Sequence, residues 1–568
     1  MKNLLRKKYL FIILFFFFCG CVPPPERKKD AAMQVVSVPV NAAYHYSLSV
    51  HLALNGNLDD AIAELEKALS FDSKSSFLAM ELAVLYSEKG YYQKAISLCE
   101  KSLVENGSDV DTRLLLAGLY MNTKNHKEAL REYNKASEMD PQNITSHLYA
   151  GILHGEAGNY EKALASFRSL LAIDPDNLMG NYYIARTLTE LKQYGEAEEK
   201  YRSAIAIRPI FEQAIIELTG LYEKQGRNDL AIETYRNYIK LNHHSVNVRL
   251  KLANLLLKIK RLEEAERELK EALEWGSENR EVNYTLGLFY LEKDQYDKAI
   301  EIFTALLKSY PDDYRLRYLL GSAYEGKKDY LGAIAELKKI PGDSDLYPNA
   351  RVSISIIMKN SGGLAEAIDN LLLAIETRKD APDFYIILSS LYEEKKELLK
   401  AEEILKTGIQ VSQSAQLHYG LGVLYEKTGR FDESIREMRM VIQLDSDNAD
   451  AMNFIGYTFA DKGINLEEAE ALIKQALELR PGNGYMLDSL GWLYFRQNKT
   501  EQAIKHLKEA AAVLPGDATI TEHLGDAYVK SGQIAEAIET YRKAMELNRE
   551  NKAVQQKIDH LTTKNRER

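Results

Sequence analysis

Residues Gly151–Pro175 read GILHGEAGNYEKALASFRSLLAIDP, and the spacing of small and bulky residues within them decides the fold. Gly151 is followed after twelve residues by Ala163, and four further on stands the bulky Phe167. Moving outward by 34 residues at a time finds the alanine again: Ala61, Ala95, Ala129, Ala163, Ala197, Ala231, Ala265, Ala299, Ala333, Ala367 and Ala401. Ser434, Ala469, Ala503 and Ala537 continue the series after one step of 33 and one of 35. Twelve residues before each, or thirteen at the insertion, lies another small residue: Ser49, Ala83, Ala117, Gly151, Ala185, Thr219, Ala253, Gly287, Gly321, Ser355, Ser389, Gly422, Gly456, Gly491 and Gly525. Pro141, Pro175, Pro209, Pro311, Pro481 and Pro515 recur near the ends of units, where a proline stops one helix or opens the next turn. Within units the apolar residues follow helical spacing, as in Leu114, Ala117, Gly118 and Met121. The pattern predicts an all-α chain of fifteen helical hairpins from Ala42 to Glu550.

A 34-residue period with small residues where two antiparallel helices cross resembles the tetratricopeptide repeat. The resemblance covers about nine-tenths of the chain and implies an α-solenoid superhelix. Its domain reading is repeats one to nine over 42–347, repeats ten to fifteen over 348–550, and a polar capping helix and tail over 551–568, with Val554, Ile558 and Leu561 on one face. Pro341, Gly342 and Pro348 interrupt the usual helix end and suggest a hinge between the ninth and tenth repeats.

The first 21 residues read as an export signal. Lys2, Arg6, Lys7 and Lys8 precede the ten-residue apolar run Tyr9–Phe18, which is shorter than the roughly 20 residues a membrane-spanning helix needs. Phe18-Cys19-Gly20-Cys21 resembles a bacterial lipoprotein lipobox, which implies lipidation at Cys21. Val22 after that cysteine implies sorting to the outer membrane with the body facing the periplasm. Residues 22–41, rich in Pro and charge, then form a flexible tether.

The remaining chemistry is sparse. Lys and Arg number 73 against 83 Asp and Glu, so no basic surface is available for nucleic acid. Gly321-Ser-Ala-Tyr-Glu-Gly-Lys327-Lys328 nearly spells a phosphate-binding loop, but it lies within a repeat helix and lacks the Ser or Thr that would hold a metal. His243 and His244 are adjacent and lack a third ligand nearby in sequence, which suits a solvated turn. Cys99 sits at the bulky position four after Ala95 and reads as a packing thiol. No cofactor, metal, small-molecule substrate or enzymatic activity is expected.

Binding is therefore expected of the first helices, which in such arrays line a groove for peptides or helices. Counting the first small residue of each unit as position 8, the expected groove residues are Tyr149, Tyr182, Tyr183, Arg186, Tyr284, Tyr318, Tyr419, Asn453, Phe454, Tyr457, Asp488, Trp492, Glu522, His523 and Asp526. In the last three repeats Trp492, flanked by Asp488, Glu522 and Asp526, predicts a partner segment with an apolar anchor and basic neighbours. The leading functional expectation is a non-catalytic, membrane-anchored scaffold for protein partners in envelope assembly, secretion or polysaccharide export. The alternative is a chaperone-like holdase for unfolded clients.

Overall fold

The computed structural model describes residues 41–566, so the export signal, Cys21 and all but the last residue of the tether lie outside the described residues. Thirty-one helices follow one another, two per repeat and one beyond the fifteenth. Most first helices open on an Asn, Ser or Asp whose side chain accepts from a first-turn amide, as Asn143 does from Ser146 and Asp517 from Ile520. That satisfies donors the helix cannot pair itself.

The 34-residue period is the geometry of the helix crossing. All fifteen residues at position 8 and all fifteen in the alanine series are buried. Each glycine at position 8 faces the bulky residue sixteen or seventeen further on, and the pair shares a fixed volume. A Cβ added at Gly151 would meet Phe167 Cε1 at 2.4 Å, and one added at Gly287 would meet Phe303 Cε1 at 2.5 Å. Glycine there is a packing requirement set by the opposed ring. The two irregular steps are absorbed in turns. The shortened repeat connects Val411 to Ala415 through three residues, while the lengthened one uses two left-handed residues, Gly463 (φ 71°) and Asn465 (φ 47°), between its helices.

The chain divides into two compact units, residues 1–243 and 244–568. Several first helices also lie against the first helix of the next repeat, as Tyr347–Asn360 does on Pro382–Glu394 and Ala449–Lys462 on Gly484–Arg496. Tyrosines at position 11 stitch repeats together. Tyr86 donates to Glu66 (2.5 Å), Tyr120 to Glu100 (2.5 Å), Tyr222 to Glu198 (2.9 Å), Tyr290 to Glu266 (3.0 Å) and Tyr425 to Glu402 (3.0 Å), each acid lying in the preceding repeat. Glu402 also meets Arg430, and although burial opposes the charge, the Lys406, Arg430 and Tyr425 bonds hold its pKa at about 2.

The second helix of the ninth repeat is cut to Tyr330–Leu337, and an irregular segment leads to helix Tyr347–Asn360. Ile340 and Tyr347 are buried there in one apolar cluster with residues of the repeats on both sides, and Arg378 donates to Ser344 O at 2.9 Å. Beyond the last repeat, helix Lys552–Arg566 buries Val554, Ile558 and Leu561 against the second unit's core. Cys99 is buried, and burial pushes its thiol up to about 12. His244 packs edge-on against Trp275 at 3.9 Å.

Candidate partner-binding surface

The expected groove residues meet three fates. Tyr149, Tyr183, Arg186, Tyr284, Tyr318, Tyr419, Phe454, Tyr457 and Trp492 are exposed or half-buried on first helices. Tyr182 is a correction: it is buried, packed edge-on against Tyr183, Tyr201 and Phe211, and therefore part of the core. The polar residues of the last two repeats are a second correction, because the chain itself uses them.

In repeats four and five the tyrosines keep open faces. Tyr149 is 38% exposed and stacks on Tyr133 at 5.4 Å, and Tyr183 stacks on Phe167 at 5.6 Å. Arg186 lies 5.8 Å from the Tyr183 ring and 4.0 Å from Glu217. Between the two first helices a cavity of about 240 Å³ is lined by Ile152, Glu156, Tyr160, Tyr183, Arg186 and Glu190.

In repeats fourteen and fifteen the acids are committed. Asp488 and His523 are both more than nine-tenths buried and bonded at 2.9 and 3.1 Å. Burial disfavours the imidazolium, yet the Asp488 carboxylate below it raises the His523 pKa above the ordinary value. Glu522 accepts from Asn551 (3.0 Å) and Lys557 (2.9 Å), and Asp526 from Lys557 (2.6 Å) and Tyr541 (2.5 Å). These acids lock the terminal helix onto the array, so they are not available to a basic partner.

What remains unengaged in this region is aromatic and amide. Trp492 lies flat between Phe495 (4.8 Å) and His523 (4.3 Å). Its indole Nε1 is buried without a hydrogen-bond partner, and so is Asn453 Oδ1 on the first helix of the preceding repeat. One is a donor and the other an acceptor, and a buried polar atom left unpaired costs about 1–3 kcal/mol. Burial holds the Tyr457 hydroxyl, on the same face, at a pKa of about 12. Among the described residues no group of three His, Cys, Asp or Glu could hold a metal ion, and no helix is long and apolar enough to cross a membrane.

First helices carrying partly open aromatics, on a frame of small-residue crossings, define a repeat protein of the protein-interaction class. Two tetratricopeptide-repeat family models match the chain, one over residues 29–76, 149–209, 284–350 and 419–484, the other over 88–150, 222–287 and 494–558. Together they span more than half of it, and the chain belongs to the tetratricopeptide-repeat family. A TPR repeat-containing protein of Pseudomonas aeruginosa is 30% identical over 192 residues, which are 33% of this chain and 32% of that protein. The BBSome complex member BBS4 homolog of Drosophila melanogaster is 27% identical over 180 residues, 31% of this chain and 36% of that one. The chain thus spans about a third of the length of these curated relatives. Among solved structures, YrrB, a TPR protein with an unusual peptide-binding site, is 22% identical, with 31% of this chain and 91% of that one covered and a TM-score of 0.29.

Proposed function

We propose that this chain is a non-catalytic adaptor that holds a protein partner along its first helices, with the main anchor at Asn453 and Trp492. The observation that carries the reading is the half-buried Trp492 ring on a first helix together with an unpaired donor, Trp492 Nε1, and acceptor, Asn453 Oδ1; both atoms are buried in the free chain and meet the C=O and N–H of an extended polypeptide only when their neighbours shift. Trp492 adds the rigid apolar area typical of interface anchors. The protein is carried on a lipid at Cys21 in the cell envelope, with its body in the periplasm, serving envelope assembly, secretion or polysaccharide export. Cys21→Ser is expected to release it from membranes; a variant that still sediments with salt-washed membranes refutes the anchor. Asn453→Ala and Trp492→Ala are expected to lose a stoichiometric partner that wild type retains from solubilised membranes, and unchanged recovery refutes the binding site.

The holdase reading shares the aromatic first-helix groove and adds two exposed leucines outside it. Leu331 and Leu399 are 84% and 83% exposed, at a position where repeats one, six, eight and twelve carry Asp59, Asp229, Asp297 and Asp432. Exposed leucines of this kind add apolar contact for weak binding of many sequences. Suppression of aggregation of several unrelated clients, lost in Leu331→Asp with Leu399→Asp, would favour it over the adaptor.

A further inference from the structure

In several repeats position 4 does a recurring job. Its side chain reaches back across the turn between repeats to a carbonyl six residues earlier. Arg113 donates to Gly107 O (2.7 Å), Asn181 to Pro175 O (3.1 Å), Asn283 to Ser277 O (2.9 Å), Arg317 to Pro311 O (2.6 Å) and Tyr385 to Lys379 O (2.9 Å). Three arginines at position 4 pair with an acid nineteen residues on, Arg113–Glu132 (2.5 Å), Arg249–Glu268 (2.8 Å) and Arg317–Glu336 (3.3 Å), while Arg351 meets the amide oxygen of Asn370 there at 3.0 Å. The array thus contains a built guanidinium seat, formed by a loop carbonyl and a group on the second helix.

Repeat two has the seat without its occupant. Position 4 is Ala79, the smallest residue found there in any repeat, and Leu98 replaces the acid. A cavity of about 280 Å³ opens at this place, and its lining includes Ala79, Leu98 and Ser73, which stand in register with Arg113, Glu132 and Gly107 of repeat three. Two further observations give it polarity. Ser102, which lines the cavity, is 8% exposed, and its Oγ has no hydrogen-bond partner. Glu66 and Glu105 stand in the wall. Lys74 and Lys101 also line it, but both are exposed, so they share a mixed-charge rim with the two glutamates while the buried floor offers a hydroxyl beside aliphatic side chains.

We infer that the vacant seat of repeat two is a binding site for an arginine side chain presented by a partner polypeptide. The guanidinium takes the place that Arg113 fills in the next repeat, with Ser73 O, Ser102 Oγ and a wall carboxylate as acceptors and its methylene stem against Leu69 and Leu98. A planar fork with five donors suits three acceptors of different kinds better than the point charge of lysine does. The site is separate from Asn453 and Trp492 and does not depend on them.

The test uses the full chain and three probes in calorimetric titration: a glycine-flanked arginine peptide, N-acetyl-arginine amide, and the same peptide with glutamate for arginine. The arginine peptide is expected to bind saturably with a Kd on the order of 1 mM, the amide more weakly, and the glutamate peptide not at all. Ala79→Arg, which supplies the guanidinium internally, is expected to abolish binding and raise the melting temperature. Ser102→Ala is expected to weaken binding at least about threefold. Binding that survives Ala79→Arg in a protein of unchanged helicity overturns the proposal, as does equal binding of the glutamate peptide. An amide that binds as tightly as the peptide overturns the polypeptide source. Should Ala79→Arg fail to fold, unchanged affinity in Ser102→Ala overturns the proposal by itself. Trp492→Ala is expected to leave all of these affinities unchanged.

Discussion

Repeats four and five and repeats thirteen to fifteen both carry aromatics and acids on their first helices and spend them differently. In the first region Tyr149 and Tyr183 stack on Tyr133 and Phe167 of neighbouring helices and leave their outer faces open. Glu156 and Glu190 line a cavity there. In the second, Asp488, Glu522 and Asp526 are engaged by His523 and Lys557, and the groups left unpaired are the buried Trp492 Nε1 and Asn453 Oδ1. A first-helix position therefore does not define a contact residue. What decides is whether the next repeat supplies a counter-charge.

The largest test of this contrast is removal of one acid from each region. Asp488→Ala leaves a buried imidazole without its partner and is expected to destabilise the second unit by about 3–5 kcal/mol, whereas Glu190→Ala on the exposed face should change stability by less than about 0.5 kcal/mol. Urea unfolding followed by circular dichroism, fitted as several transitions because long repeat arrays lose cooperativity, measures both. Equal effects would erase the distinction.

Next in size is the frame that both regions share. Gly151→Val would force a side chain into Phe167 and is expected to cost about 1–3 kcal/mol, and Gly491→Val, facing Leu507 at 2.6 Å, should cost a similar amount. A neutral result at either would mean that the helix crossing can relax and that the glycines have another role.

A smaller effect is tied to pH. The His523 pKa is raised in the folded state, so its contribution to stability is fully present below the ordinary imidazole pKa of about 6.5 and is lost as pH rises through the folded value. The second unit should melt progressively lower from pH 6 upward, and Asp488→Asn should flatten that slope.

The fold was legible in sequence because the helix crossing tolerates only small residues, and fifteen copies of one constraint leave an unmistakable period. The terminal helix was legible for the same reason, since Val554, Ile558 and Leu561 share a helical face. The fate of the polar groove residues was not, because it depends on pairs about one period apart. Asp488 bonds His523 and Glu522 bonds Lys557 at a separation of 35, one period plus one, and Tyr318 meets Ser353 across the same interval. A scan for complementary residues at that spacing would have found them. Tyr182 was misread because position 5 turns toward the next repeat when Phe211 stands ready to cover it. The empty seat at Ala79 becomes visible only when the filled seats of other repeats show what is missing.

The most direct test of the central claim compares Trp492→Ala with wild type in two readouts on one preparation, partner recovery from solubilised membranes and thermal melting. A binding anchor predicts that the partner is lost while the melting temperature stays within a few degrees. Retained partner with a large drop in melting temperature would make Trp492 a core residue and contradict the account.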